Sequence, residues 1–238
     1  MSEPALGFRP LYRQVRDALV KRIADGVWQP GQLLPSEPDI ASNLGVSPGT
    51  VRKALDEMTA YNLVVRRQGR GTYVAKHDDA RILFQFFKLV PDSGERHFPE
   101  SRVLRVEPCL NAEAAGRLGL PATDRLLTLD RVRLLDGTVC VLERIFLPMA
   151  FFPKLEEREI PNNLYELYAT AFGVTIGEAS EHLKAVAATP NDAKHLHVEV
   201  GAPLLRIDRL AIAIDKRRVE WRISICRTDK IHYVSDLR

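Results

Sequence analysis

Between Ser36 and Val74 the chain carries two short helical patterns around a three-residue turn, then two short strand patterns around a basic tip. Ser36 opens the first helix, with Asp39 three residues on as an approximate capping box and Ile40, Ala41 and Leu44 as its buried stripe, and it ends near Gly45. Ser47 opens the second, Pro48 takes the first helical position where its missing N–H costs nothing, and Val51, Ala54, Leu55 and Met58 form the apolar side. The other side shows Gly49, Thr50, Arg52 and Lys53. A preceding helix over about residues 11–25 is set by Val15, Ala18, Leu19 and Ile23. Leu63-Val64-Val65 and Thr72-Tyr73-Val74 read as strands around Arg66-Arg67-Gln68-Gly69-Arg70-Gly71.

Two helices around Leu44-Gly45-Val46, the second exposing small and basic residues at its start, form a helix-turn-helix whose exposed end can enter a major groove. The hairpin after it is a wing, whose arginines suit phosphates and whose tip glycine lets backbone approach a minor groove. A packed helical corner beside a solvated basic turn is the alternative. Charge favours the first reading, because residues 1–77 hold 11 Lys and Arg against 7 Asp and Glu, whereas the remainder holds 23 against 24.

This N-terminal third closely resembles the winged helix-turn-helix domain of GntR-type bacterial transcription regulators. The resemblance rests on Leu11-Tyr12-Arg13-Gln14-Val15, Pro30-Gly31-Gln32-Leu33-Leu34-Pro35-Ser36-Glu37, Val46-Ser47, Gly49 to Leu55 and Arg67 to Val74. It implies a homodimeric regulator, a repressor or an activator, on a palindromic double-stranded DNA operator. Arg52 and Gly69 match positions that face bases in that family, and Ser36, Ser47, Gly49, Thr50, Lys53, Arg66, Arg67, Gln68, Arg70 and Thr72 complete the expected DNA-binding set. Pro38 and Pro48 stand where relatives usually carry arginine, so two familiar donors are missing and the operator sequence is not transferable.

With the winged domain at 1–75 and a short polar linker at 76–80, residues 81–238 remain for an antiparallel α+β domain. Strands are expected at 82–89, 102–107, 126–134, 138–146, 175–186, 204–214 and 218–226, and helices at 112–119 after Asn111, 163–172 after Asn162, and 190–199 with a stop at Gly201. Hairpins are expected at Asp136-Gly137 and Asp215-Lys216-Arg217. Arg131 and Arg133 share a strand face with Leu127 and Leu129, and arginine beside leucine needs an anionic partner. A type I turn with Gly137 as a bulge sets 133 opposite 139 and 131 opposite 141, bringing Glu143 onto that face; a two-residue turn sends it to the other. A surface salt-bridge ladder and a ligand site both fit this pattern.

Arg131-x-Arg133, Asp136-Gly137, Glu143 before Leu147-Pro148, Leu164-Tyr165, Pro203-Leu204-Leu205, and Glu220 before Arg227-x-Asp229 resemble the UTRA effector domain of the HutC-like branch. That implies a chorismate-lyase-like fold, dimerisation through this domain, and an effector pocket lined by Arg131, Arg133, Glu143, Tyr165 and Glu220, with Tyr233 matching a later aromatic. Ile231 departs from an aromatic common in relatives. Two arginines on one face favour a small anionic metabolite, with Glu143 and Glu220 accepting hydrogen bonds from its hydroxyl or amine groups. An enzyme of this fold fused to a DNA-binding domain is the alternative function. His195-x-His197 is poorly placed for one helical face, and no nucleophile elbow, phosphate loop or dinucleotide fingerprint occurs, so no catalytic residue, metal or cofactor is expected. Cys109, Cys140 and Cys226 lie far apart, with no disulfide framework. With no signal-peptide pattern and no apolar run long enough to span a bilayer, the expectation is a cytoplasmic chain without membrane contact.

Overall fold

The computed structural model describes residues 10–24, 27–29, 31–60, 63–75, 87–93 and 99–235. It divides into two compact units, Met1–His77 and Asp78–Arg238; the expected linker at 76–80 lies outside the described residues.

The N-terminal unit contains α1 (Leu11–Ala24), α2 (Glu37–Leu44), α3 (Pro48–Ala60), β1 (Val64–Arg67) and β2 (Gly71–Val74). Ser36 caps α2 by accepting from Asp39 N–H, but Asp39 returns its carboxylate to the Ser36 hydroxyl at 2.6 Å, closing a variant of the capping box. Gly45 ends α2 in the left-handed region. Val15, Leu19, Ile40, Val51, Ala54, Leu55 and Met58 form the buried centre. The wing strands extend further into the basic run than their apolar residues foretold, pairing Arg66 with Thr72 and Arg67 with Gly71. Residues 31–34 add a third, partial strand through Leu34 N–H to Thr72 O and Val74 N–H to Gln32 O. Gly71 must be glycine there, because it sits at φ 99° and a Cβ would stand 2.8 Å from Leu33 Cδ1.

The larger unit is one six-stranded antiparallel sheet with strand order β4-β5-β6-β9-β8-β7. Its strands are β4 (Glu100–Cys109), β5 (Leu126–Leu135), β6 (Thr138–Pro148), β7 (Ile176–Ala187), β8 (Pro203–Ala213) and β9 (Arg218–Cys226). Helix α4 (Ala112–Leu118) packs Ala114, Ala115 and Leu118 on Leu126, Phe146 and Trp221 of one face. Helix α6 (Pro190–Leu196) sets Leu196 among Val132, Val139 and Leu204 of the same face. The opposite face carries Leu127, Leu129, Ile145 and Leu147 beneath α5 (Leu164–Phe172). Further along that second face, Val141, Ile207 and Cys226 pack against Leu89 and Ile231 of a two-stranded sheet, β3 (Leu89–Pro91) with β10 (Ile231–Tyr233).

Several expected boundaries move. Residues 82–86 of the expected first strand lie outside the described set, and its described strand is β3, while β10 has no counterpart in the sequence reading. The cap of α5 is Asn163, one residue beyond Asn162. Helix α6 ends at Leu196, five residues before Gly201, because His197 turns left-handed and its N–H closes on Ala193 O. Asp136 and Gly137, both at positive φ, form a two-residue turn pairing Leu135 with Thr138. That excludes the expected 133–139 and 131–141 pairs, yet Glu143 still shares the face of Arg131. A bulge at Cys140 shifts the register by one, so Arg133 faces Val141 and Arg131 faces Glu143 directly.

Candidate functional site

On the winged unit, Ser47 Oγ accepts from Thr50 N–H at 3.2 Å and caps α3, so Gly49, Thr50, Arg52 and Lys53 project from its first two turns. Arg52 is 64% exposed, and its Nε donates to Glu37 Oε2 at 2.9 Å. Arg66 of β1 reaches the other oxygen of Glu37 at 3.4 Å and Asp56 at 2.6 Å. Glu37, which opens α2, therefore ties the start of the helix-turn-helix to α3 and to the wing. Lys53 Nζ lies 4.3 Å from the Tyr12 ring centroid, and Arg67 stacks over Tyr73 at 4.8 Å. Gln68, Gly69 and Arg70 form the exposed tip, and Thr72 leads back into β2. Pro38 and Pro48 both occupy the first helical turn, where no backbone donor is lost, and neither supplies a donor of its own.

The six residues expected at the effector site gather on the α5 face of the sheet, apart from Tyr233, which joins from β10. Cross-strand rows assemble them: Arg131, Glu143 and Ser224 lie side by side on β5, β6 and β9, and the next row sets Ile145, Arg222, Arg209 and Glu181 across β6 to β7. Arg131 Nε donates to Glu143 Oε2 at 2.6 Å. Arg222 donates to the other oxygen at 3.3 Å and, through Nε and Nη2, to both oxygens of Glu220. Tyr165 and Tyr168 hydroxyls also donate to Glu220, at 3.1 and 2.8 Å. Arg209 Nε donates to Glu181 Oε1 at 2.6 Å, and the Tyr233 hydroxyl donates to Glu181. Arg133 gives Nη2 to Pro99 O at 3.0 Å, approaches Glu143 at 3.8 Å and stacks on Phe87. Both expected carboxylates are thus engaged by the protein's own donors.

The electrostatics of this cluster are lopsided. Four arginines, Arg131, Arg133, Arg209 and Arg222, meet three glutamates, Glu143, Glu181 and Glu220, so among the described residues one positive charge is in excess. Burial would raise the Glu143 carboxyl, but Arg131, Arg222 and Arg133 overcome it and hold the group well below the usual carboxylate range. Burial, reinforced by Arg131 and Arg222, pulls Arg133 in the opposite sense, down to about 9. A guanidinium keeps its proton in proteins, so Arg133 stays a buried cation beside Arg131 and Arg222. Burial also pushes the Tyr165 hydroxyl up to about 12, keeping it a neutral donor.

A cavity of about 490 Å³ opens on the other face of the sheet, lined by Leu142, Ile223, Ile225 and the start of α6; of the six expected residues only Glu143 borders it. Among the described residues no cluster of three or more metal-ligating side chains occurs, and His195 Nδ1 lies 2.9 Å from Asn191 O. The sequence reading missed Glu37, Arg209, Glu181, Arg222, Tyr168 and Ser224. Arg222, two residues after Glu220 on one strand, carried a period-two signal; Arg209 and Glu181 are placed only by pairing across strands distant in sequence.

A winged helix-turn-helix in one chain with a sheet domain holding a buried, cation-rich cluster defines a DNA-binding regulator with its own effector domain. The chain belongs to the GntR family of bacterial regulatory proteins, whose family model matches residues 11–74, and the UTRA domain model matches residues 95–232. It is 29% identical over 233 residues, 96% of each chain, to the HTH-type transcriptional repressor NagR of Bacillus subtilis (strain 168). The histidine utilization repressor of Pseudomonas putida matches at 28% over 205 residues, 85% of this chain and 82% of that one. The ligand-binding domain of a Bordetella bronchiseptica protein described as a GntR-family transcriptional regulator matches with a TM-score of 0.60 and 33% identity, covering 65% of this chain and 98% of that chain. These relatives are regulators, which favours regulation over the fused-enzyme alternative. No helix among the described residues is long and apolar enough to cross a membrane.

Proposed function

We propose that the chain is a cytoplasmic homodimeric repressor that binds a palindromic operator through α3 and the wing and is controlled by a small anionic metabolite bound beside Arg133. On the DNA side, Gly49, Thr50, Arg52 and Lys53 of α3 and Arg66 to Arg70 of the wing supply the contacts; Ser36, Ser47 and Thr72 hold those elements in place. On the effector side, the single observation that carries the reading is the buried gathering of Arg131, Arg133, Arg209 and Arg222 around Glu143, Glu181 and Glu220 on the α5 face. An anion there would add to the contacts Arg133 already makes with Pro99 O at 3.0 Å and Glu143 at 3.8 Å. Arg131, Glu143, Tyr165, Glu220 and Tyr233 then act mainly by fixing the cluster around the anion. Chemical turnover has no support among the described residues: Glu143 is held ionised by three arginines, and no described histidine or thiol is bonded to either Glu143 or Glu220.

Thermal-shift screening of sugar phosphates and small carboxylates against wild type and Arg133→Ala tests this, since a ligand that binds only the folded state raises its melting temperature. Anions that stabilise wild type and leave the variant unmoved are the expected outcome. Equal shifts in both proteins, or shifts from cations alone, overturn the effector reading, and conversion of a hit into product revives the enzyme alternative.

A further inference from the structure

The face of the sheet that carries α4 and α6 is covered at its two ends and open in the middle. Helix α4 rests on Phe146 and Trp221, and α6 on Val132, Val139 and Leu204. Between them lie Leu142 of β6 and Ile223 and Ile225 of β9, on the two innermost strands. All three are only half-buried, although aliphatic side chains at the centre of a sheet are ordinarily covered. They floor the cavity of about 490 Å³, a size that suits a small organic molecule. The charges around this floor are one-sided. Asp130 accepts from Nε and Nη2 of Arg144 and from Arg105, and Asp192 is taken up by Thr189 in the cap of α6. Glu143 turns its carboxylate to the other face, onto Arg131 and Arg222. Every acid that borders the cavity is therefore already met. Arg206, by contrast, gives up only Nη2, to Asp208 at 3.2 Å, and its Nε and Nη1 have no partner among the described residues.

We propose that this cavity is a second ligand site, on the face away from the Arg133 cluster, for a carboxylate carrying an apolar body. The register fixes how such a molecule lies. Arg206 pairs with Ile225, and Ile225 with Leu142, so one cation stands at the end of an apolar row across β8, β9 and β6. Two strand spacings make that row about 10 Å long, the length of a chain of about eight carbons. The carboxylate meets the unused donors of Arg206, and the chain lies over Ile225, Ile223 and Leu142. An ammonium in its place would face Arg206 with Arg144 and Arg105 beyond, so the site selects the sign of the head group. Leu142 and Ile223 alternate along their strands with Glu143, Arg222 and Ser224 of the opposite face. The two sites therefore share backbone and no side chain that binds in both.

The test is calorimetric titration of sodium octanoate into the full chain, beside butanoate and octylamine. Octanoate is expected to bind once per chain, butanoate about tenfold or more weakly because it leaves half the floor uncovered, and octylamine not at all. Arg206→Ala should weaken octanoate about tenfold, and Ile225→Trp, which fills the floor, should abolish its binding, with circular dichroism confirming that both variants fold. Should Ile225→Trp fail to fold, Arg206→Ala and the comparison of the three probes still decide. No binding of octanoate, binding indifferent to chain length or head-group charge, or full binding in Arg206→Ala overturns the proposal. Binding lost in Arg133→Ala and kept in Arg206→Ala also overturns it, by assigning the acid to the effector cluster. Failure of every anion to bind beside Arg133 would sink the effector reading and leave this site standing, since Arg206 and Ile225 belong to the other face.

Discussion

Arg131 and Glu143 face each other directly across β5 and β6, Nε to Oε2 at 2.6 Å, and a bulge at Cys140 is what brings them together. With the turn at Asp136-Gly137, uninterrupted pairing would put Arg131 opposite Leu142 and turn Glu143 to the other face, where α4 and α6 pack. One inserted residue therefore decides whether three arginines are buried with or without a carboxylate.

Removing that carboxylate is expected to be severe. Glu143→Ala leaves Arg131, Arg133 and Arg222 facing one another in the interior, and truncating one partner of a buried ion pair costs about 3–5 kcal/mol. Replacing Arg131 and Glu143 together by methionine should cost less than Glu143→Ala alone, since no charge is then stranded. Urea unfolding followed by Trp221 fluorescence, with Trp28→Phe as background, measures both; a double variant less stable than the single one would show that the pair itself holds the sheet.

The same carboxylate sets an acid limit. Its folded pKa lies below the unfolded value, so the unfolded chain binds the proton more readily, and the stabilisation is complete above the ordinary glutamate value of about 4.3 and is lost as pH falls below it. Asp130, held low by Arg144 and Arg105 despite burial, adds in the same sense. Wild type should lose stability steeply below about pH 4, whereas Glu143→Gln, already weakened, should show a shallower fall. Equal slopes in thermal melts from pH 3 to 7 would remove Glu143 from the account.

The N-terminal unit was legible because its signals are local: caps at Ser36 and Ser47, a left-handed glycine at Gly45, apolar residues at helical spacing. What escaped there is non-local, the strand-like path of residues 31–34 and the Glu37 clasp on Arg52 and Arg66. In the larger unit, period-two patterns placed Arg131 and Arg133 together, and Glu143 joined them through a different turn from the one first expected. The bulge carried no marker, since Cys140 is an ordinary strand residue whose extra count only a register reveals. Arg209 and Glu181 sit 28 residues apart in sequence and meet only when β7 and β8 pair.

Glu37 competes with DNA for the basic residues it holds. Glu37→Gln should raise affinity for random duplex and narrow the gap to the operator, because Arg52 and Arg66 no longer leave a carboxylate to meet phosphate. Arg52→Ala should cost about 1–3 kcal/mol on the operator and relax discrimination at one base pair per half-site. Gel shifts on operator and random duplex across several salt concentrations measure both; equal losses for Arg52→Ala on the two DNAs would reduce Arg52 to a phosphate contact.

Control of DNA binding from the proposed effector site beside Arg133 must obey linkage. If effector weakens operator affinity by some factor, operator must weaken effector affinity by the same factor, since both describe one thermodynamic cycle. Calorimetric titration of an anionic effector into the free protein and into its operator complex should therefore differ by the ratio that gel shifts give with and without effector. Arg133→Ala should abolish the response while leaving operator affinity near wild type, because the substitution removes a cation from the effector domain and nothing from α3 or the wing. A variant that still releases DNA on effector addition would move the controlling site away from Arg133. Mismatched ratios would instead mean that the anion reaches the DNA-binding surface itself, where it competes directly with phosphate.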